Sequence, residues 1–202
     1  MIPTKYLCKM GDYDIIYDGV PLKAKVIDNY KVVNQLIPHY FGSEDVIGLD
    51  IKNFTRNNMG SHRSFHLVQS SYDILVLCGI SRCLIIHSDF MMEQLPSLKE
   101  FLEDSNICFV RPSILKDNSS SYPGGVAVCE LAARVLKKSK LKKESSLEVI
   151  SREVGVSYQD VYGSIVLNSD SDKILTQEQV EMVAYRAFTC HRIGSKLLSS
   201  LE

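Results

Sequence analysis

The chain has 202 residues, 45% of them hydrophobic and 23% charged, enough for one domain (1–202) with a sizeable core and too apolar for a disordered segment. No apolar run approaches the roughly 18 residues that span a bilayer, and the N-terminus "MIPTKYLCKMGDYD" lacks an apolar signal core, so the expected setting is cytoplasm or nucleus with no membrane partner. The net charge of −1 supplies no global field toward nucleic acid, so any such binding has to come from a local patch.

"YDIIYDGVPLKAKVI" predicts two strands around a turn at Asp18-Gly19. "DNYKVVNQLI" predicts a helix capped by Asp28 and stopped before Pro38. "VIGLDIKNF" is a strand, with Ile47, Leu49 and Ile51 alternating with other residues. "FHLVQSSYDILVLCGISRCLIIH" predicts a long strand, a tight turn near Gly79 to Arg82 and a second strand. "LPSLKEFLED" opens a short helix with Pro96 in its first turn, and "NICFVRP" is a short buried strand.

"DNSSSYPGG" is loop by composition. "AVCELAARVLKKSK" reads as a helix. "SSLEVISREVG" reads as another, with a capping box at Ser145 and Glu148 and a stop at Gly155. "LTQEQVEMVAYRAFTCHRIGSKLLSSL" is a long C-terminal helix with a capping box at Thr176 and Gln179. Its apolar face carries Val180, Val183, Ala184, Ala187, Cys190 and Leu197. Strands followed by helices argue an α/β or α+β sandwich with a mixed sheet. The six cysteines, Cys8, Cys78, Cys83, Cys108, Cys129 and Cys190, form no CxxC pair. Most sit in apolar runs, as buried thiols of a reducing compartment do.

Asp50 and Lys52 stand two apart on a strand and therefore share a face. Two acids there would make half of a metal site; an acid and a base make an ion pair, worth little if exposed. Arg186 by itself reads as a solvated helix position. "LKKSKLKK" holds five lysines in seven residues, Lys137, Lys138, Lys140, Lys142 and Lys143. They read first as a solvated helix end that suits the helix dipole, second as a phosphate-contacting patch. His62 and His66 lie in a loop-to-strand segment without an adjacent carboxylate, which disfavours a metal. Phe54, Phe65 and Tyr72 are candidates for base stacking, with packing the commoner role.

Six segments in order, "YDGVPLKAKV", "VIGLDIKNF", "LVLCGISRCLIIH", "SLKEFLEDSNICFV", "ELAARVLKKSKLKKESSLEVISREVGV" and "ILTQEQVEMVAYRAFTCHRIG", resemble the DnaQ-like 3′–5′ exonucleases of the Werner-syndrome type, above all the compact plant proteins. The resemblance covers nearly the whole chain. It implies a ribonuclease-H-like fold with a five- to six-stranded mixed sheet flanked by helices. It also implies two-metal phosphodiester hydrolysis with Mg²⁺ or Mn²⁺ held by four carboxylates.

Carried over by position, the family's first Asp is Asp50, its Glu falls on Lys52, and its middle Asp falls on Asp117. Its last-helix Tyr falls on Met182, and its last Asp on Arg186. "NSSSYPGG" replaces an expected helix after Asp117. Tyr185 lies about 60° short of a full turn from Met182 and faces elsewhere. Four carboxylates would bring a formal −4 to two ions; two Asp, one Lys and one Arg bring zero. The resemblance therefore implies a retired metal site with Asp50 and Asp117 as residual ligands and no cofactor, or Mg²⁺ or Mn²⁺ if activity persists.

Three functions follow. One is an inactive protein that holds single-stranded RNA or DNA, with Lys52 and Arg186 gripping phosphate. Another is a non-catalytic subunit in a homo-oligomer, such as a ring, or in a hetero-oligomer with an active relative. The third is an active nuclease that recruits further acids, such as Asp170 or Asp172.

Overall fold

A computed structural model describes residues 11–27, 30–56, 70–87, 95–112, 125–144, 146–159 and 175–201. Strand β1 (Asp12–Tyr17) and strand β2 (Val20–Ile27) form an antiparallel hairpin. Asp18 and Gly19 between them both have left-handed φ, 51° and 76°. That is the twist-matched two-residue turn the Asp-Gly pair predicts. Helix α1 (Tyr30–Phe41) leads to β3 (Val46–Arg56), β4 (Ser70–Cys78) and β5 (Arg82–His87). Helix α2 (Pro96–Leu102) carries Pro96 in its first turn and precedes β6 (Cys108–Arg111). A two-residue strand β7 (Val126–Ala127) runs directly into α3 (Val128–Val135). A 3₁₀ turn (Ser139–Lys143), α4 (Leu147–Val154) and α5 (Gln177–Leu198) follow.

The strands form one mixed sheet in the order β1-β2-β5-β4-β3-β6-β7. Among the described residues it holds seven strands, where five or six were expected; the addition is β7, too short to show a period of two. Strands β4 and β5 lie centrally and are apolar on both faces, as strands covered on both sides must be. Ile74, Val76 and Cys78 of β4 pack beneath α5. Leu75 and Leu77 point the other way, against α1 and α2. A third cluster joins β6, α3 and α4 to the second half of α5 through Val110, Val128, Ile150 and Ile193.

Three expectations change. Pro38 does not stop α1, which continues to Phe41. A helix-interior proline costs about 3 kcal/mol, but Phe41 is fully buried and stacks on Phe101 at 5.6 Å, and this burial offsets it. Asp28, the expected cap, lies outside the described residues. The helix through the lysine run ends early, at Val135. Lys137 takes a left-handed φ of 55°, while the Lys137 and Lys138 amides reach back to the Arg134 and Ala133 carbonyls. This is a Schellman stop. It reverses the chain so that Leu141 enters the core, an inward position helical spacing from Val135 could not reach. Lastly, α4 is capped by Ser146, whose hydroxyl accepts from the Val149 amide, rather than by Ser145, which is outside the described residues. The Gly155 stop, with φ 73°, and the Thr176–Gln179 capping box stand as expected.

Candidate functional site

The contact between β3 and α5 positions the site. A Cβ on Gly48 would collide with the Ala187 carbonyl oxygen and lie 2.8 Å from the His191 amide nitrogen. Only glycine permits this approach, the usual meaning of a glycine inside a strand. Farther along, Gly194 sits against Val46 and Val110 with the same lack of room. His191, buried, lies with Nδ1 3.0 Å from the Val46 carbonyl oxygen. Burial is the main cause of its lowered pKa, opposed by that hydrogen bond, so the ring is neutral and donates Nδ1–H to the carbonyl.

Two residues beyond Gly48 stands Asp50, and one residue before Ala187 stands Arg186, so the close approach sets them side by side. Lys52 follows on the same face of β3. The Lys52 ammonium is 3.3 Å from Asp50 Oδ2. Arg186 Nε is 3.5 Å from the same oxygen. Asp50 Oδ1 accepts from the Ile51 amide at 3.0 Å. Exposure is graded: 8% for the Asp50 side chain, 23% for Lys52 and 44% for Arg186. The carboxylate forms the floor and the cations form the rim.

Neither cation makes an aligned hydrogen bond to Oδ2, which is buried without one. Coulomb attraction holds the three together while the N–H donors keep their freedom. The triad carries a net +1, in contrast to the −2 that two carboxylates alone would supply. Among the described residues no three acids, histidines or cysteines converge on a metal site. The residues present do not fit a divalent ion at Asp50. At an effective dielectric of about 20, a +2 ion some 4 Å from each cation would meet repulsion on the order of several kcal/mol apiece.

Met182 is half-buried one turn before Arg186, on the same helical face. Tyr185 turns inward: its hydroxyl accepts from the Gln159 amide and its ring meets Tyr17 edge-on at 5.2 Å. It is absent from the site, as its offset from Met182 predicts. Asp117, Asp170, Asp172, His62, His66 and Phe65 lie outside the described residues. Phe54 and Tyr72 are register partners on β3 and β4.

Lys137, Lys138, Lys140, Lys142 and Lys143 are all exposed, and Lys138 pairs with Glu153 at 2.6 Å. Leu141 anchors this run in the cluster of Ile193 and Leu197. Those residues are about 10 to 16 Å along α5 from Arg186. The structure therefore does not merge the lysine run with the triad.

The sequence reading missed His191, Gly194 and the role of Gly48; of these only Gly48, a glycine within a strand, carries a local signal. Cys78 and Cys190 are fully buried free thiols near the carboxylate. Burial first, and the Asp50 charge second, push the Cys190 thiol up; burial dominates at Cys78 as well. Both are protonated packing groups rather than nucleophiles.

No protein-family model matches the sequence, and no curated protein matches it. Solved structures match the fold. RNase D of Trypanosoma brucei superposes with a TM-score of 0.59 at 11% identity, over 87% of this chain and 64% of that one. The catalytic core of RRP6 from Trypanosoma brucei gives 0.51 at 12% identity, over 100% of this chain and 54% of that one. A mutant of the same core gives 0.52 at 12%, over 93% and 50%. The chain thus shares the ribonuclease-H-like fold of these structures, and spans between half and two thirds of their length.

Proposed function

We propose that this chain is a 3′–5′ exonuclease-like protein, of the Werner-syndrome type by its sequence segments, in which metal-dependent cleavage has been lost and the cleft holds single-stranded RNA or DNA. Lys52 and Arg186 grip the phosphate, and the lysine run from Lys137 to Lys143 adds salt-sensitive contacts. The observation that carries this reading is the pair of cations on Asp50. By the family resemblance they stand where a metal mechanism needs acids, and they leave the site one positive charge in excess. Guanidinium and ammonium groups are the donors that phosphate oxygens take best. On that resemblance, Met182 in place of the family's Tyr removes water activation as well.

The test incubates the protein with 5′-labelled, 3′-extended single-stranded RNA and DNA, with and without Mg²⁺ or Mn²⁺, beside Asp50→Ala and Lys52→Ala/Arg186→Ala. Expected is no shortening, and gel retardation that weakens in the double variant and with salt. Metal-dependent shortening abolished by Asp50→Ala would overturn the proposal in favour of an active exonuclease. Absence of retardation would overturn it in favour of a non-catalytic subunit acting through protein contacts.

A further inference from the structure

We infer that Asp50 is a built-in counter-ion that competes with the bound phosphate for Lys52 and Arg186, so that removing its charge strengthens nucleic-acid binding. The inference rests on the phosphate-holding reading above and concerns what limits that site.

Three geometric facts support it. First, Asp50 is fixed. The Ile51 amide donates to Oδ1 at 3.0 Å, and the side chain is 8% exposed, so it cannot swing aside when an anion arrives. Second, both cations lean on the one remaining oxygen, at 3.3 and 3.5 Å, without committing a donor in hydrogen-bond geometry. Lys52 carries three N–H donors and Arg186 five, and none is spent on a hydrogen bond to that oxygen. Third, the exposure order puts the cations between solvent and the carboxylate. A phosphate meets attraction first and the Asp50 charge behind it, only a few ångströms farther on. Attraction to two cations and repulsion from one anion leave the net pull of a single charge. Without the Asp50 charge that pull doubles.

A carboxylate serving as a metal ligand predicts the opposite sign, because its loss would weaken any metal-bridged complex. The two roles therefore separate in one titration. The probe is a 5′-fluorescein-labelled single-stranded 12-mer of dT or U, followed by anisotropy in EDTA at 50 and 200 mM salt. The proteins are the wild type, Asp50→Asn, Lys52→Ala/Arg186→Ala and the triple variant. Expected is about tenfold tighter binding for Asp50→Asn at low salt, shrinking at high salt as screening requires. The gain should be absent in the triple variant, and Mg²⁺ should add nothing.

Equal or weaker binding by Asp50→Asn, with wild-type binding still lost in the Lys52→Ala/Arg186→Ala protein, would overturn the inference and leave the phosphate-holding reading standing. Wild-type binding equal to that of Lys52→Ala/Arg186→Ala would overturn that reading itself. Should Asp50→Asn lose the wild-type circular-dichroism spectrum, Met182→Lys offsets the Asp50 charge from the next turn of α5, at a half-exposed position. A several-fold gain there is expected, and its absence overturns the inference.

Discussion

The two halves of α5 use the same strand in opposite ways. From Ala187 to Gly194 the helix lies close against β3, and the buried polar side chains Thr189 and His191 each have a backbone carbonyl partner. Gly48 and Gly194 permit that contact, and His191 closes it by donating to the Val46 carbonyl. One residue before Ala187 the dry contact ends, and Arg186 meets Asp50 and Lys52. Packing is all-or-none there, whereas three charges near solvent tolerate exchange. A fold can therefore keep its strand–helix clamp whatever charges stand beside it.

The contrast is broken most severely at the clamp. Gly48→Ala sets a methyl against the Ala187 carbonyl, a backbone atom that cannot rotate away. A loss of about 3 kcal/mol or more is expected, at the upper end of overpacking costs. Urea denaturation would show it as a collapsed midpoint or an unfolded product. A midpoint within error of wild type would mean that α5 is free to shift on β3.

The charged half should fail differently, by non-additivity. Lys52→Met or Arg186→Met alone leaves Asp50 one partner, and each should cost no more than about 1 kcal/mol. The double variant leaves a nearly buried carboxylate alone and should cost about 3 kcal/mol, more than the two single losses together. A double-mutant cycle in urea measures the difference. Strict additivity would show that Asp50 depends on neither cation.

The next largest effect is a pH dependence carried by His191. His191 has a lowered pKa in the fold because burial disfavours its charged form. The unfolded chain then binds the proton more readily, with an ordinary value near 6.5. Above that value the two states hold the same protons and His191 adds no pH dependence. As pH falls from about 6.5 toward the lowered folded value, stability drops, by at most about 1.4 kcal/mol per pH unit. His191→Gln should flatten this window in thermal-unfolding scans, and a slope that survives the substitution would assign it to another group.

The smallest effect belongs to the lysine run. Lys137 holds a left-handed φ of 55° that glycine adopts freely. Lys137→Gly should stabilise by about 0.5 to 1 kcal/mol while removing one exposed charge. If the run touches phosphate, the slope of log binding constant against log salt should fall by about one. An unchanged slope would assign Lys137 to solvent.

Local patterns carried far in the sequence. Apolar runs, alternating in β3 and continuous in β4 and β5, marked strands β1 to β6. Asp18-Gly19 marked its turn, and Thr176 with Gln179 marked the start of α5. Position-by-position resemblance singled out Lys52, Met182 and Arg186 as an expectation, and of these the structure gathers Lys52 and Arg186 on Asp50. Each of these signals lies within a dozen residues or in a comparison of single positions, so no knowledge of long-range contacts was needed. What required the tertiary structure is everything that depends on partners distant in the chain. Pro38 sits inside a helix because Phe41 and Phe101 stack beyond it. The lysine run leaves the helix because Leu141 finds a place beside Ile193. Arg186 joins Lys52 on Asp50 because Gly48 lets a helix from the far end of the sequence come within touching distance. Burial and ion pairing are set by which surfaces meet, and only the folded chain brings those surfaces together.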